Sequence, residues 1–165
     1  MTTAIKLGVS FKKILLATDF SAESEKALDF ARALARQNSA HLTVAHVLQP
    51  VAHIAIPEGG WVDDDPIAPV EAEQLDALGT ALRAEGLNAD TVQTYGAIQK
   101  EICDLAASRH ADIVIAATHG RMGLDRLLFG SRAEAVAHHS PVPVLLIGPK
   151  APVLANRPWK IRSIA

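Results

Sequence analysis

This chain has one cysteine, one tyrosine and two tryptophans among its 165 residues. With a single cysteine, Cys103, no internal disulfide framework can form, and the chain suits a reducing compartment. Aromatic residues make up 4% of the chain against 49% hydrophobic overall, so the core must be built from Ala, Val, Leu and Ile. An excess of one charge sign is also missing: 16 Lys+Arg face 18 Asp+Glu, a formal net charge of −2. Hence no global basic field is present to hold nucleic acid, and no acidic tail. No stretch approaches the roughly 18 apolar residues of a membrane span. The N-terminal MTTAIKLGVSFKK has no apolar run of signal-peptide length. The expectation is a cytoplasmic protein with no membrane association. It should form one domain over 1–165, with a core near 11–149 and a tail at 150–165.

What is present is an alternation of strand and helix patterns. Lys13 to Thr18 (KILLAT) is a short apolar run, expected as a strand buried on both faces. Ser21, Glu23 and Glu25 suit the first turn of a helix whose Ala27, Ala31, Leu34 and Ala35 share one face and which stops near Asn38. His41 to Leu48 reads as the second strand. Residues 49 to 68 hold no periodic pattern, and Pro50, Pro57, Gly59, Gly60, Pro66 and Pro69 mark a long loop. A second helix is expected from about Val70 to Glu85, with Leu75, Leu78 and Leu82 inward and Gly86 as its stop. Asp90 to Tyr95 alternates as a less buried third strand, and a third helix follows over Ile98 to Arg109. Asp112 to Ala117 is the fourth strand, Ser131 to His139 a helix, and Val142 to Ile147 the fifth strand. Pro143 has no N–H for a ladder, so that last strand lies at a sheet edge or begins there.

Five strands alternating with four helices predict an α/β fold, a mostly parallel sheet with helices on both faces. Such sheets bind ligands beyond the carboxyl ends of the strands, where the strand order reverses. The first strand ends at Thr18-Asp19 and the fourth at Thr118-His119-Gly120. If these strands are neighbours, Asp19 and the glycine loop share one crevice.

Residues 111–131, ADIVIAATHGRMGLDRLLFGS, run from a strand through a glycine-punctuated loop to a helix start. N–H groups at a helix start have no internal partner and favour negative charge, and glycine lets backbone approach a phosphate closely. The segment therefore suggests an anion such as a nucleotide tail. Gly120, Gly123 and Gly130 fit neither G-x-G-x-x-G nor the phosphate loop that ends in G-K-[ST]. The plainer alternative is a glycine turn with Ser131 as a helix cap.

Taken together, KKILLATDFSAESEKAL, LTVAHVL and ADIVIAATHGRMGLDRLLFGSRAEAVAHHSPVPVLLI resemble the universal stress protein family over nearly the whole chain. The resemblance implies a Rossmann-like five-stranded parallel sheet of order 3-2-1-4-5. The family's ATP-binding members carry G-x2-G-x9-G-[ST]. Here Gly120 and Gly130-Ser131 match its later part, and Ala117 stands where the first glycine belongs. The resemblance further implies that Ala17, Thr18 and Asp19 meet the adenine and ribose end, with Val47 packed on adenine. Ala116 and Ala117 would lie near the ribose. Gly120, Gly130, Ser131, Arg132 and Ala133 would surround the phosphates. The implied ligand is ATP, AMP or another adenine nucleotide, with Mg2+ held mainly through the phosphates. An alanine at 117 costs little if its φ is negative and on the order of 1 kcal/mol if positive.

Several residues keep rival readings. Asp19 serves either as an Asx-type turn residue or as a ligand group, and its place at a strand end favours the ligand role. Arg121 and Arg126 read as solvated surface, while Arg132 stands evenly between surface and phosphate. The seven histidines show no metal spacing, Asp63-Asp64-Asp65 reads as a solvated acidic loop, and Cys103 lacks an activating pattern. No catalytic arrangement emerges, so activity is expected to reach weak ATP hydrolysis at most. The leading reading is an ATP-binding regulator of stress response with a protein partner that the sequence does not name. The alternatives are an interaction module of the same fold with a degenerate pocket, and a slow ATPase. The family also implies a homodimer, with Val142–Ile147 as the expected edge-strand interface.

Overall fold

A computed structural model describes residues 10–49, 54–56, 60–62, 68–118 and 131–152. Along the chain these form β1 (Lys13–Ala17), α1 (Ala22–Asn38), β2 (His41–Leu48), β3 (Ile54–Ile56), β4 (Gly60–Val62) and α2 (Ala68–Ala84). There follow β5 (Asn88–Tyr95), α3 (Ile98–Ser108), β6 (Ile113–Ala117), α4 (Ser131–His139) and β7 (Val144–Ile147). The main sheet has the order β5-β2-β1-β6-β7, and every pairing in it is parallel. Counting its own strands only, this is the expected 3-2-1-4-5.

Side chains of a strand alternate between faces, and β1 divides accordingly. Ile14 and Leu16 enter a cluster with Ala27 and Ala31 of α1 and Leu75, Leu78 and Leu82 of α2. Leu15 enters the opposite cluster, with Ile102 and Ala106 of α3 and Val136 of α4. The alanine face of α1 lets that helix lie close to the sheet. Ser21 caps α1 by accepting from the Ser24 N–H, and Ser39 closes it in the left-handed conformation, its N–H turned to the Ala35 and Arg36 carbonyls. Arg32 is buried in α1 and meets both Asp29 and Glu85, tying α1 to the residue just beyond α2.

Some expectations need correction. The 49–68 segment contains a two-stranded antiparallel ladder, Ile54–Ile56 with Gly60–Val62, where an unstructured loop was expected. Strands of three residues are too short for a period-two pattern to stand out from noise. Helix α2 begins at Ala68, before the expected Val70, and so takes in Pro69. Proline fits a first helical turn because the N–H it lacks would have no partner there. Strand β5 starts earlier than expected, at Asn88, whereas β7 starts later, at Val144. Pro143 lies just outside β7 and offers only its carbonyl, which accepts from the Val114 N–H at 3.0 Å.

At Gly79, α2 packs tightly on β5. A Cβ there would stand 2.7 Å from Thr91 Cγ2, a branched side chain with little freedom to move. Gly79→Ala should therefore destabilise the protein in urea melts, although helix propensity alone would favour it by about 1 kcal/mol. Adding Thr91→Ser, which removes the obstructing methyl, should recover stability beyond the sum of the single changes.

Candidate functional site

Register along the sheet opens a crevice at one place. β1 pairs with β6 through Ile14–Leu16 against Ile113–Ile115 and no further. Beyond that point β1 stays with β2 as far as Ala17, and β6 stays with β7 as far as Ala117. The two central strands therefore part at their carboxyl ends, where the sheet order reverses. Small, half-buried Ala17 and Ala117 stand on either side of the gap.

The turn after β1 is built by its own polar side chains. Asp19 Oδ1 receives the Ser21 N–H at 3.1 Å, the Ser21 hydroxyl at 2.6 Å and the Ser24 hydroxyl at 2.7 Å. This is the Asx-type turn that was one of the two readings of Asp19, now joined to the α1 cap. Thr18 Oγ1 accepts from the Phe20 N–H at 3.1 Å. Phe20 itself has φ +58, a left-handed conformation that costs an aromatic residue on the order of 1–2 kcal/mol. It is held there by burial, with its ring centroid 4.7 Å from that of His46. His46 reaches the Thr18 carbonyl through Nδ1 at 2.8 Å and Glu71 Oε2 through Nε2 at 2.9 Å.

The model of the Universal stress protein family matches residues 10–148 of this sequence. The chain belongs to that family. It is 32% identical over 143 residues to universal stress protein A homolog 1 of Coxiella burnetii, a match that covers 83% of this chain and 96% of that protein. The solved structure of the protein MJ0577 matches with a TM-score of 0.74 at 28% identity, over 86% of this chain and 99% of that one. The universal stress protein from Archaeoglobus fulgidus in complex with dAMP matches with a TM-score of 0.62 at 22% identity, over 84% and 99% of the two chains. At that identity the last likeness concerns the fold alone.

Within this universal stress protein fold, Ala17, Thr18 and Asp19 leave β1 at the crevice, and Ala116 and Ala117 close β6 beside it. Val47 is half-buried near the end of β2 and packs on the α3 side of the sheet. Ser131, Arg132 and Ala133 open α4, the first two exposed and Ala133 buried. Gly120 and Gly130 lie outside the described residues, as do Gly123, Arg121, Arg126 and Asp63–Asp65. Ala117 is an extended strand residue paired with Ile147, and positive φ among non-glycine residues is confined to Phe20, Ser39 and His110 among the described residues. The costly branch of the Ala117 expectation therefore does not apply.

Reasoning from the sequence missed Phe20 and Glu71 and weighed His46 only as a metal ligand. A signal existed for Glu71: it heads the inward row Leu75, Leu78, Leu82 at helical spacing. Among the described residues no group of three His, Cys, Asp or Glu is gathered as a metal would need. Burial and the neighbouring Asp104 charge push the Cys103 thiol up, the opposite of nucleophile activation. No helix among the described residues is long and apolar enough to cross a membrane.

A cavity of about 210 Å³ lies at the other, amino end of the sheet, lined by Lys13, Leu15, His41, Thr43, Arg109 and Ala111 among others. Its polar side is a clamp. Asp90 meets His41 Nε2 at 3.1 Å and Arg109 at 2.7 Å, joining β5 to β2 and to the end of α3. Burial disfavours the Asp90 carboxylate, but hydrogen bonds from Thr43, Arg109 and His41 outweigh it and hold the carboxyl below its usual range. The stabilisation is thus present above the ordinary aspartate value, near pH 4, and is lost as pH falls through the lowered one. Asp90→Asn should be less stable than the parent at pH 7, by at most about 1 kcal/mol because the pair is partly exposed and screened. That difference should shrink below about pH 4 in denaturation curves taken at stepped pH.

Proposed function

We propose that this protein binds an adenine nucleotide in the crevice between β1 and β6. The ligand of choice is ATP, with Mg2+ held mainly through the phosphates. The observation that carries the reading is the parting of the two central strands beside the pre-built Asp19 turn. In this arrangement Asp19 and Val47 meet the adenine and ribose end, with Ala17, Thr18, Ala116 and Ala117 as small neighbours. Gly120, Gly130 and the first N–H groups of α4, from Ser131 to Ala133, take the phosphates, where unpaired helix N–H groups favour anions. Arg132 adds charge at the same helix start. The dAMP complex of a fold neighbour supports an adenine ligand in this architecture.

The protein acts as a regulator in the cytoplasm, and nucleotide occupancy changes the surface offered to a protein partner. In this reading hydrolysis is slow at most, since the sequence offers no base placed beside a nucleophile. β7 lies at the sheet edge and exposes Leu145, which suits pairing with a second copy. The rival reading, an interaction module with an empty pocket, drew on the missing glycine at 117. The extended backbone there spares Ala117 the left-handed strain that would have weakened binding, while the first motif glycine stays absent.

Isothermal titration should show saturable binding of ATP with magnesium at or below about 1 mM, equivalent to roughly 4 kcal/mol. No heat at millimolar nucleotide would favour the interaction module. Gly130→Val should lower the affinity at least about tenfold with an unchanged circular dichroism spectrum. Ala117→Gly should shift it by less than about threefold, since no left-handed strain is relieved. In sedimentation, the parent should run as a dimer at micromolar concentration and Leu145→Glu as a monomer.

A further inference from the structure

The turn that carries Asp19 is braced from behind the sheet. Val47 packs on the α3 side, whereas His46 points the other way, between β2 and α2, and is 5% exposed. Its two nitrogens face the Thr18 carbonyl at 2.8 Å and Glu71 Oε2 at 2.9 Å. A carbonyl oxygen only accepts, and so does a carboxylate oxygen. A neutral imidazole carries a single N–H, so it can donate to one of these oxygens and must turn a lone pair to the other. Both contacts become attractive only with one more proton, on the ring or on the Glu71 carboxyl.

We propose that His46 and Glu71 are a proton-sharing positioning pair that fixes the Thr18 carbonyl and, through it, the aim of Asp19 into the crevice. The role of Asp19 toward ligand rests on the adenine-nucleotide reading; the pair's hold on the turn does not. Neither residue is catalytic, since each acts through the turn. The Phe20 ring closes a further side of the imidazole, and the left-handed Phe20 backbone is itself tied to Thr18. Strain of this kind persists only where the surroundings over-determine it. Among the described residues, the charged group bonded to the imidazole is Glu71 from α2. Gln93, its partner position on β5, and Phe20 from the turn are neutral. Loss of the shared proton at high pH sets a lone pair against an oxygen, which frees the Thr18 carbonyl. Ligand affinity therefore falls as pH rises.

The test is titration of the full chain with adenosine between about pH 5.5 and 9, because the nucleoside has no phosphate to titrate in that range. The parent should lose about three- to tenfold in affinity toward high pH, the scale of one hydrogen bond. Glu71→Gln donates an amide N–H to His46 Nε2 without needing the extra proton, so its affinity should stay near the parent's best value across the range. His46→Ala should bind weakly at every pH. A pH slope retained in Glu71→Gln, or parent-like binding by His46→Ala, overturns the proposal. If the parent binds neither adenosine nor ATP, the nucleotide reading fails and the pair is judged by NMR alone. The Thr18 and Phe20 amide resonances should then shift with the same pH midpoint as the His46 ring nitrogens, and amides that stay still overturn it.

Discussion

A parallel strand buried in mid-sheet must pair all its backbone groups with neighbours on both sides, and β1 is the strand on which this structure depends. It has β2 on one side and β6 on the other, each parallel to it. Parallel neighbours need crossover connections, and crossovers keep one hand. Building outward from β1 in two directions therefore places α1 and α2 against one face and α3 and α4 against the other. The same reversal leaves the carboxyl ends of β1 and β6 without a connection between them. The crevice is thus a consequence of topology, and the polar turn after β1 is where the chain fills one side of it.

That turn shows how local and tertiary forces divide the work. Asp19, Ser21 and Ser24 satisfy one another within six residues of sequence, a pattern that serine and aspartate make readily near a helix start. The left-handed Phe20 cannot arise from such local bonds. It depends on the ring being buried against His46, which in turn depends on α2 bringing Glu71 over β2. A strained residue beside the reversal point, braced by a buried polar pair from another layer, links the helix layer to the candidate site.

The two ends of the sheet differ in kind. At the amino end a cavity is rimmed by Lys13 and by Arg109, which Asp90 already binds, close to the α3 carbonyl end, where positive charge is favoured. At the carboxyl end the gap between β1 and β6 is flanked by the small side chains of Ala17 and Ala117.

The apolar runs of β1, β2 and β6 and the alanine and leucine rows of α1 and α2 declared their elements directly, since burial on one or both faces imposes a regular period. The strand order followed from the family resemblance, and Asp19, Ala117 and Ser131 stood out at element ends. The three-residue strands β3 and β4 and the helical Pro69 were illegible, since the first are shorter than any period and the second differs from a loop proline only in context. Sequence alone determined the five longer strands, the four helices and the face each one buries, because those choices rest on contacts between residues close along the chain. Only the tertiary structure decided where β1 and β6 part, that Ala117 is unstrained, and that His46 meets Glu71 across 25 positions. Those facts depend on register and packing between layers, which no local pattern encodes.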